Sequence, residues 1–371
     1  MNSPEFSEFD KNCMQRALSL AWQGRYGTSP NPRVGCVIVI EDQIVAEGYH
    51  LIKGGAHAEV NALSQVSGLD LSKATVYVTL EPCSHFGSTP PCALALINKH
   101  VKTVIAAMAD PNPLVAGQGF ELLKNAQIET KYGLFEAQAR EINKGFLSRI
   151  ERGIPYCILK MGISIDGKTA LRNGQSQWIT SEISRLDVQE SRAQACAILT
   201  GIGTVIKDNP HLNVRSINTP RQPIRIILDS ELNIPLNSNV ISDSNSPTWI
   251  VTLNHDSPKL DTLIQYSHIK IIHATEKNHR INLSALMTVL AKSEIGELYI
   301  ECGATLAGAL VKENLIDEIH LYQAPIILGH HAKNAFIFEE VTDLSQVQHW
   351  HIDSSKYLGG DIKLILRQKL R

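Results

Sequence analysis

Val34-Gly35-Cys36-Val37-Ile38-Val39-Ile40 is an unbroken apolar run, and no other segment restricts the fold as strongly. A strand that is apolar at every position has no solvent face, so other elements must cover both of its sides. The neighbouring sequence supplies them. Cys13, Met14, Ala17, Leu18 and Ala21 recur at helical spacing and predict an amphipathic helix over about 9–24. Gly24, Gly27, Pro30 and Pro32 then make residues 24–33 a loop. Further strands are expected at 75–79 and 101–107, with helices near 58–64, 92–99 and 118–125. Alternating strands and helices imply a three-layer α/β domain whose sheet is at least partly parallel.

At 371 residues the chain is too long for one ordinary core, and two domains are expected. A helical pattern over 136–149 runs into Glu151-Arg152-Gly153-Ile154-Pro155, a polar break containing Gly and Pro, so the expected domains are 1–150 and 151–371. Beyond the break the alternation resumes. Strands are expected at 156–161, 195–199, 224–228, 297–301 and 318–324, with helices at 181–193 and 305–313. Gly359-Gly360 before Ile362–Leu366 suggests a closing hairpin.

The net charge of −2 leaves no basic field to hold nucleic acid or an anionic membrane. No apolar run approaches the roughly 20 residues that span a bilayer. Residues 1–10 lack the positive and then apolar pattern of a signal peptide. The seven cysteines are odd in number and scattered, unlike a secreted disulfide framework, so a reducing cytoplasmic location is expected.

Two of those cysteines keep distinctive company. His57-Ala58-Glu59 is followed, after a strand, by Glu81-Pro82-Cys83 and then Pro91-Cys92. Catalytic zinc needs three protein ligands and an open position for water, whose pKa it lowers toward about 7. One imidazole and two thiolates meet that need, and Glu59 is placed to move protons without being a ligand. A helical turn just after each cysteine would favour thiolate there. The other reading is a closed structural site, with His85 as fourth ligand, or simply buried cysteines. A structural site has no use for Glu59.

The segment Pro82-Cys83-Ser84-His85-Phe86-Gly87-Ser88-Thr89-Pro90-Pro91-Cys92, with His57-Ala58-Glu59 and Pro30-Asn31-Pro32-Arg33-Val34-Gly35, resembles the bifunctional deaminase–reductase family of riboflavin biosynthesis. Eight residues between the cysteines, rather than two, distinguish that family from tRNA adenosine and cytidine deaminases. The resemblance implies a cytidine-deaminase-like N-terminal domain that removes an amino group from 2,5-diamino-6-ribosylamino-4(3H)-pyrimidinone 5′-phosphate. It implies one zinc ion per chain on His57, Cys83 and Cys92, with Glu59 as the catalytic proton shuttle. Asn31, His50 and His85 are the implied substrate contacts. The family carries Arg or Lys where this chain has Ser88, which raises the question of how the phosphate is anchored. Lys53 is the nearest alternative in the sequence.

The second half shows no G-x-G-x-x-G after a strand, so a Rossmann site is unsupported. Glu301–Ala309 runs from a strand into a helix through small residues, which suits either a pyrophosphate at the helix N-terminus or a tightly packed turn. Lys160–Ala170, Ser176–Thr180 and Thr204–Pro210 resemble successive motifs of the reductase half of the same family. That half has a dihydrofolate-reductase-like fold and reduces the ribosyl group to ribityl with NADPH. By the resemblance Gly162, Trp178, Thr204, Asp208, Ser230, Gly303, Ala304, Thr305, Leu306, Ala307, Gly308 and Ala309 lie on the cofactor side. Ser176, Arg192, Leu212, Arg215 and Glu301 lie on the substrate side. Arg192 and Arg215 suit a guanidinium clamp on the sugar phosphate. Lys160 and Asp166 are candidates by position for the proton donor. The expected partners are small pyrimidine ribose phosphates, with neither nucleic acid nor membrane, and a homo-oligomer is expected. A nucleic-acid deaminase with an accessory domain, or a non-catalytic zinc and nucleotide binder, are the rival readings.

Overall fold

Ser7 starts the first helix. Its hydroxyl accepts from Asp10 N at 3.1 Å while the Asp10 carboxylate accepts from Ser7 N at 2.8 Å, a reciprocal cap on α1 (Glu8–Gln23). The inner face of α1 packs on the hairpin β1 (Gly35–Ile40) and β2 (Gln43–Tyr49). A Cβ at Gly35 would stand 2.0 Å from Ala17 O, so glycine is what lets the helix lie this close. α2 (Ala58–Leu63), β3 (Thr75–Val78), α3 (Cys92–Asn98), β4 (Thr103–Ala106), α4 (Gln118–Asn125), β5 (Glu129–Tyr132), α5 (Glu136–Ile142) and α6 (Lys144–Leu147) follow. The sheet order is β2-β1-β3-β4-β5, antiparallel on both sides of β1 and parallel through β3, β4 and β5.

The apolar run of β1 is covered on both faces. Cys36 and Ile38 join Val76, Val78, Leu96 and Leu123 in one core, while Val37 and Val39 join Met14, Leu18, Tyr77 and Ile105 in another. The expected helix over 136–149 is interrupted. At Asn143 (φ −110°) the chain leaves helical geometry, and its buried side-chain carbonyl accepts from Arg33 N at 2.7 Å while its amide donates to Arg33 O at 3.0 Å. The break thus ties the 30–33 loop to this helix pair, and a π-helical turn closes it at 148–152.

The model, a computed structural model, describes residues 5–86, 90–113 and 115–368. The chain divides into two units, Met1–Gly153 and Ile154–Arg371. The second unit contains β6 (Tyr156–Ser164), β7 (Lys168–Ala170), α7 (Glu182–Gln194), β8 (Ala197–Gly201), α8 (Ile202–Asp208) and β9 (Ile224–Leu228). α9 (Asn239–Ser242), β10 (Thr248–Thr252), α10 (Pro258–Leu263), β11 (Ile269–His273), β12 (Glu276–Lys277), β13 (Arg280–Ile281), α11 (Leu283–Lys292) and β14 (Glu297–Ile300) continue it. α12 (Ala304–Lys312), β15 (Glu318–Ala324), β16 (Lys333–Asn334), β17 (Trp350–Leu358) and β18 (Asp361–Gln368) complete it. The main sheet runs β11-β10-β9-β8-β14-β6-β15-β18-β17, parallel from β11 to β15, and its last two strands form the antiparallel hairpin closed by Gly359 and Gly360. Among the described residues no helix is long and apolar enough to cross a membrane.

Candidate functional site

His57 is the N-cap of α2, which puts Glu59 in the first helical turn and turns both side chains toward the start of α3. His57 Nδ1 lies 3.3 Å from Cys92 Sγ and 3.6 Å from Cys83 Sγ, and the three ligand atoms all fall within 4.8 Å of one another. Tetrahedral Zn–N and Zn–S bonds of about 2.1 and 2.3 Å place such atoms about 3.5 Å apart, so the donor set and its spacing fit zinc. Among the described residues no fourth His, Cys, Asp or Glu joins the group. His85 is exposed and sits instead within electrostatic reach of Asp110.

The two cysteines differ. Cys92 opens α3, as expected, but among the described residues Ser84–Phe86 after Cys83 are not helical. The Cys83 sulfur is served instead by the Cys92 backbone N–H, at 3.3 Å. The Cys92 thiol also donates to it, and with His57 adding to this against the effect of burial, Cys83 is held far more acidic than an ordinary thiol, at about 4. Glu59 is 3% exposed and lies against Cys92. Burial, with the Cys83 sulfur adding to it, lifts the Glu59 carboxyl to about 6, suited to exchanging a proton near neutrality.

Asn31 and His50 come to the same place. Asn31 Nδ2 is 3.5 Å from His50 Nε2, and the His50 ring meets that of His57 edge-on at 5.4 Å. His50 Nδ1 bonds Ala56 O at 3.0 Å, and burial holds its pKa down. Ser88 lies outside the described residues. Lys53 is exposed in the turn before His57.

Sequence reasoning passed over Glu81 as a site residue. It is buried two positions before Cys83, and its carboxylate accepts from the backbone N–H groups of Asp110, Gly117, Gly119 and Phe120 at 2.9–3.3 Å. It therefore pins the 110–120 segment to the cysteine loop. The signal available was a carboxylate inside an otherwise apolar stretch, where a charge needs partners.

In the second unit, Arg192 and Glu301 form a bidentate pair: Nε to Oε1 at 2.6 Å and Nη2 to Oε2 at 3.0 Å, with Nη1 donating to Asn213 O at 3.0 Å. Burial pushes the Glu301 carboxyl up, but Arg192 outweighs it and, with Lys160 and Arg215 adding, holds it below its ordinary value. Lys160 is half-buried beside this pair, and its loss of solvation there lowers its pKa. The two arginines are thus unequal: Arg192 is committed to Glu301, while Arg215 is exposed. The Leu212 side chain packs into an apolar core with Val205 and Ile227, and its backbone sits at φ 48°. Ser176 is half-buried in the segment before α7.

Of the residues expected on the cofactor side, Gly303, Thr204 and Ser230 follow the C-terminal ends of the parallel strands β14, β8 and β9. Gly303 is the N-cap of α12, with no side chain capping it, and Ala304–Ala309 form its first turns. Gly308 allows the Ile337 backbone against the helix, since a Cβ would stand 2.1 Å from Ile337 O. Leu306 reaches toward Gly201, the N-cap of α8, which carries Thr204 and Asp208. The Ser230 carbonyl, just past β9, accepts from Leu253 N at 3.0 Å. Gly162 lies in β6 with Lys160 Nζ 3.8 Å from its Cβ position. Trp178 is 68% exposed and carries the Arg185 guanidinium 4.4 Å from its ring centre.

Comparison with known proteins agrees with both halves. Residues 7–108 match the cytidine and deoxycytidylate deaminase zinc-binding region, and residues 155–364 match the RibD C-terminal domain. The riboflavin biosynthesis protein RibD of Haemophilus influenzae is 43% identical, with 98% of this chain and 99% of that protein covered. A solved RibD structure from Acinetobacter baumannii superposes with a TM-score of 0.90 at 40% identity, covering 98% of this chain and 99% of that one. A Thermotoga maritima diaminohydroxyphosphoribosylaminopyrimidine deaminase/5-amino-6-(5-phosphoribosylamino)uracil reductase gives 0.86 at 29% identity, over 97% and 99%. With both halves matched in order along nearly its whole length, the chain belongs to the RibD family of riboflavin biosynthesis, bifunctional enzymes that are deaminase and reductase in one polypeptide.

Proposed function

We propose that the first half hydrolyses the 2-amino group of 2,5-diamino-6-ribosylamino-4(3H)-pyrimidinone 5′-phosphate and that the second half reduces the product's ribosyl group to ribityl with NADPH. The observation that carries the first step is the His57, Cys83 and Cys92 tripod at zinc spacing with a buried, non-ligating Glu59 against it. Zinc bound there supplies the Lewis acidity that makes water nucleophilic at neutral pH. Glu59 takes one proton from the attacking water and gives it to the ring nitrogen, then carries the remaining hydroxyl proton of the adduct to the amino group, which leaves as ammonia as the ring carbonyl forms. Asn31 and His50 orient the ring, and His85 contacts the substrate from the cysteine loop.

In the second half NADPH, when bound, would supply the hydride for the sugar C1′, whose bond to the ring oxygen breaks as that oxygen takes a proton. The uncapped N-terminus of α12 suits the cofactor pyrophosphate, with Gly162, Trp178, Thr204, Asp208 and Ser230 along the rest of the molecule. Arg215 and Lys160 present positive charge to the sugar phosphate. Arg192 fixes the Glu301 carboxylate, and the two act together in place of a symmetric arginine clamp. The Leu212 backbone and Ser176 complete the substrate side.

The direct test is Glu59→Gln. Deamination should fall by about 10²–10⁴-fold, with zinc content and reduction of already deaminated substrate unchanged. A variant that loses zinc, or deaminates at the normal rate, overturns the assignment.

A further inference from the structure

β6 ends at Ser164, and the chain that follows crosses the C-terminal edge of the main sheet. A Cβ at Gly174 would stand 3.2 Å from Lys207 Cε and 3.4 Å from Lys207 Nζ, so the 171–175 turn lies against α8. α8 follows β8, and β14 stands between β8 and β6 in the sheet, parallel to both. Residues 165–175 therefore pass over the end of β14, where Glu301 and the N-terminus of α12 lie. They lead directly into Ser176 and Trp178.

A second limb comes from β15. Ile165 N donates to Ile326 O at 2.9 Å, Lys333 and Asn334 of β16 pair with Ala170 and Lys168 of β7, and Lys168 Nζ donates to Asn334 Oδ1 at 2.7 Å. Between the limbs lies a cavity of about 600 Å³ lined by Leu171, Arg172, Asn173, Leu328, His331 and Ala332, so near the tip they do not pack on each other. Asp166 joins them at the base. Its Oδ1 accepts from Ser164 Oγ at 2.6 Å and from Leu328 N at 3.0 Å, and its Oδ2 accepts from Gly329 N at 2.8 Å. Gly167 and Gly329, at φ 74° and 84°, make the left-handed turns on either side of this junction. The same hydrogen bonds, that from Ser164 first, hold the Asp166 carboxyl down to about 2, so at neutral pH it has no proton to give.

Resting on the reductase reading, we propose that Asp166 is a positioning residue, which fixes this two-limbed strap over the reductase site and acts through the Ser176 and Trp178 that the strap carries. A strap held there keeps water from the transferring hydride and completes the substrate side. Asp166 is then not the proton donor of the reduction.

The test is steady-state reduction of already deaminated substrate by the zinc-loaded full chain, comparing the unaltered protein, Asp166→Asn and Asp166→Ala. Hydrogen exchange over 165–175 and 326–334 is followed alongside, with and without NADPH. Asn keeps the oxygen that serves Ser164 and Leu328, whereas Ala removes all three bonds. The result expected is graded. KM for the deaminated substrate rises about three- to tenfold in Asp166→Ala, since exposed hydrogen bonds contribute in the lower part of their range, and less in Asp166→Asn, with kcat little changed in either. NADPH slows exchange in both limbs of the unaltered protein and fails to do so in Asp166→Ala. A fall in kcat of about 10²–10⁴-fold, equal in the two variants and with KM unchanged, makes Asp166 the proton donor and overturns the proposal. Unchanged KM in Asp166→Ala, or exchange indifferent to NADPH in the unaltered protein, overturns it too. If the unaltered protein reduces nothing, the reductase reading falls, and the strap falls with the site beneath it. Should Asp166→Ala fold poorly, Asp166→Asn decides alone: the proposal expects faster exchange of the Gly329 amide, whose acceptor is lost, with kcat preserved, and the reverse of either overturns it.

Discussion

Replacing Glu301 with Gln should destabilise the second unit more than replacing Arg192 with Met. Glu301 is the carboxylate shared by Arg192, which it binds through two hydrogen bonds, and by the half-buried Lys160. Removing one partner of a buried ion pair costs about 3–5 kcal/mol, because the remaining charge is stranded in a poorly solvated place. Without Arg192, Glu301 still faces Lys160 and Arg215, which argues for the low end, about 3 kcal/mol. Without Glu301, the buried Arg192 guanidinium faces the half-buried Lys160 ammonium with no carboxylate between them, which argues for the upper part of that range. Either is a large part of the roughly 5–15 kcal/mol that holds a domain together. Urea denaturation of the full chain, followed by tryptophan fluorescence, reads this directly, since Trp178, Trp249 and Trp350 all lie in the second unit. The pair also sets an acid dependence. The Glu301 carboxyl is held below its ordinary value of 4.5, so its contribution is fully present above that pH and is lost as pH falls through the lower folded value. Glu301→Gln should remove that part of the acid limb. A cost below about 1 kcal/mol for Glu301→Gln, or a larger cost for Arg192→Met, refutes the reasoning.

Two further outcomes concern the first unit. Cys83→Ser and Cys92→Ser should each lower zinc content and deaminase activity together while sparing reduction of deaminated substrate, because hydroxyl is a poor replacement for thiolate; unchanged zinc in both variants, by metal analysis, counts against the tripod. Gly119→Ala should lower zinc retention and cost about 1–3 kcal/mol in thermal or urea melts, since the new Cβ would stand 2.0 Å from the Pro82 carbonyl, next to Cys83. Normal zinc affinity in a folded Gly119→Ala protein would show that the cysteine loop does not depend on that contact.

The parts of the fold legible in the sequence were those with one strong apolar period. β1, the α1 stripe, β9, α4 and β15 carry it, and for them burial on a sheet or against it decides the local structure. β2 and β5 were not legible because they are sheet edges, where Glu47, Gly48, Glu129 and Lys131 break the apolar pattern. α11 was readable and overlooked: Leu283, Leu286, Met287, Leu290 and Ala291 stand at helical spacing and all are buried. The break at Asn143 depends on Arg33, 110 residues away, and no local pattern announces it.

The zinc tripod was legible because its ligands sit in short motifs whose chemistry restricts the residue types. What the motifs could not reveal was orientation. His85 does not join the tripod and lies within electrostatic reach of Asp110, and the Cys83 sulfur takes its backbone hydrogen bond from Cys92. Arg192 and Arg215 looked equivalent in sequence, and only the fold brings Glu301, 109 residues from Arg192, onto one of them.

The most direct measurement is incubation of the purified chain with zinc, NADPH and 2,5-diamino-6-ribosylamino-4(3H)-pyrimidinone 5′-phosphate, with products followed by mass over time. The account expects two products in order: first the species in which an amino group has been replaced by oxygen, then that species with two hydrogens added, the second appearing only with NADPH. Reduction of the substrate before deamination, or no release of ammonia by the zinc-loaded protein, would contradict it.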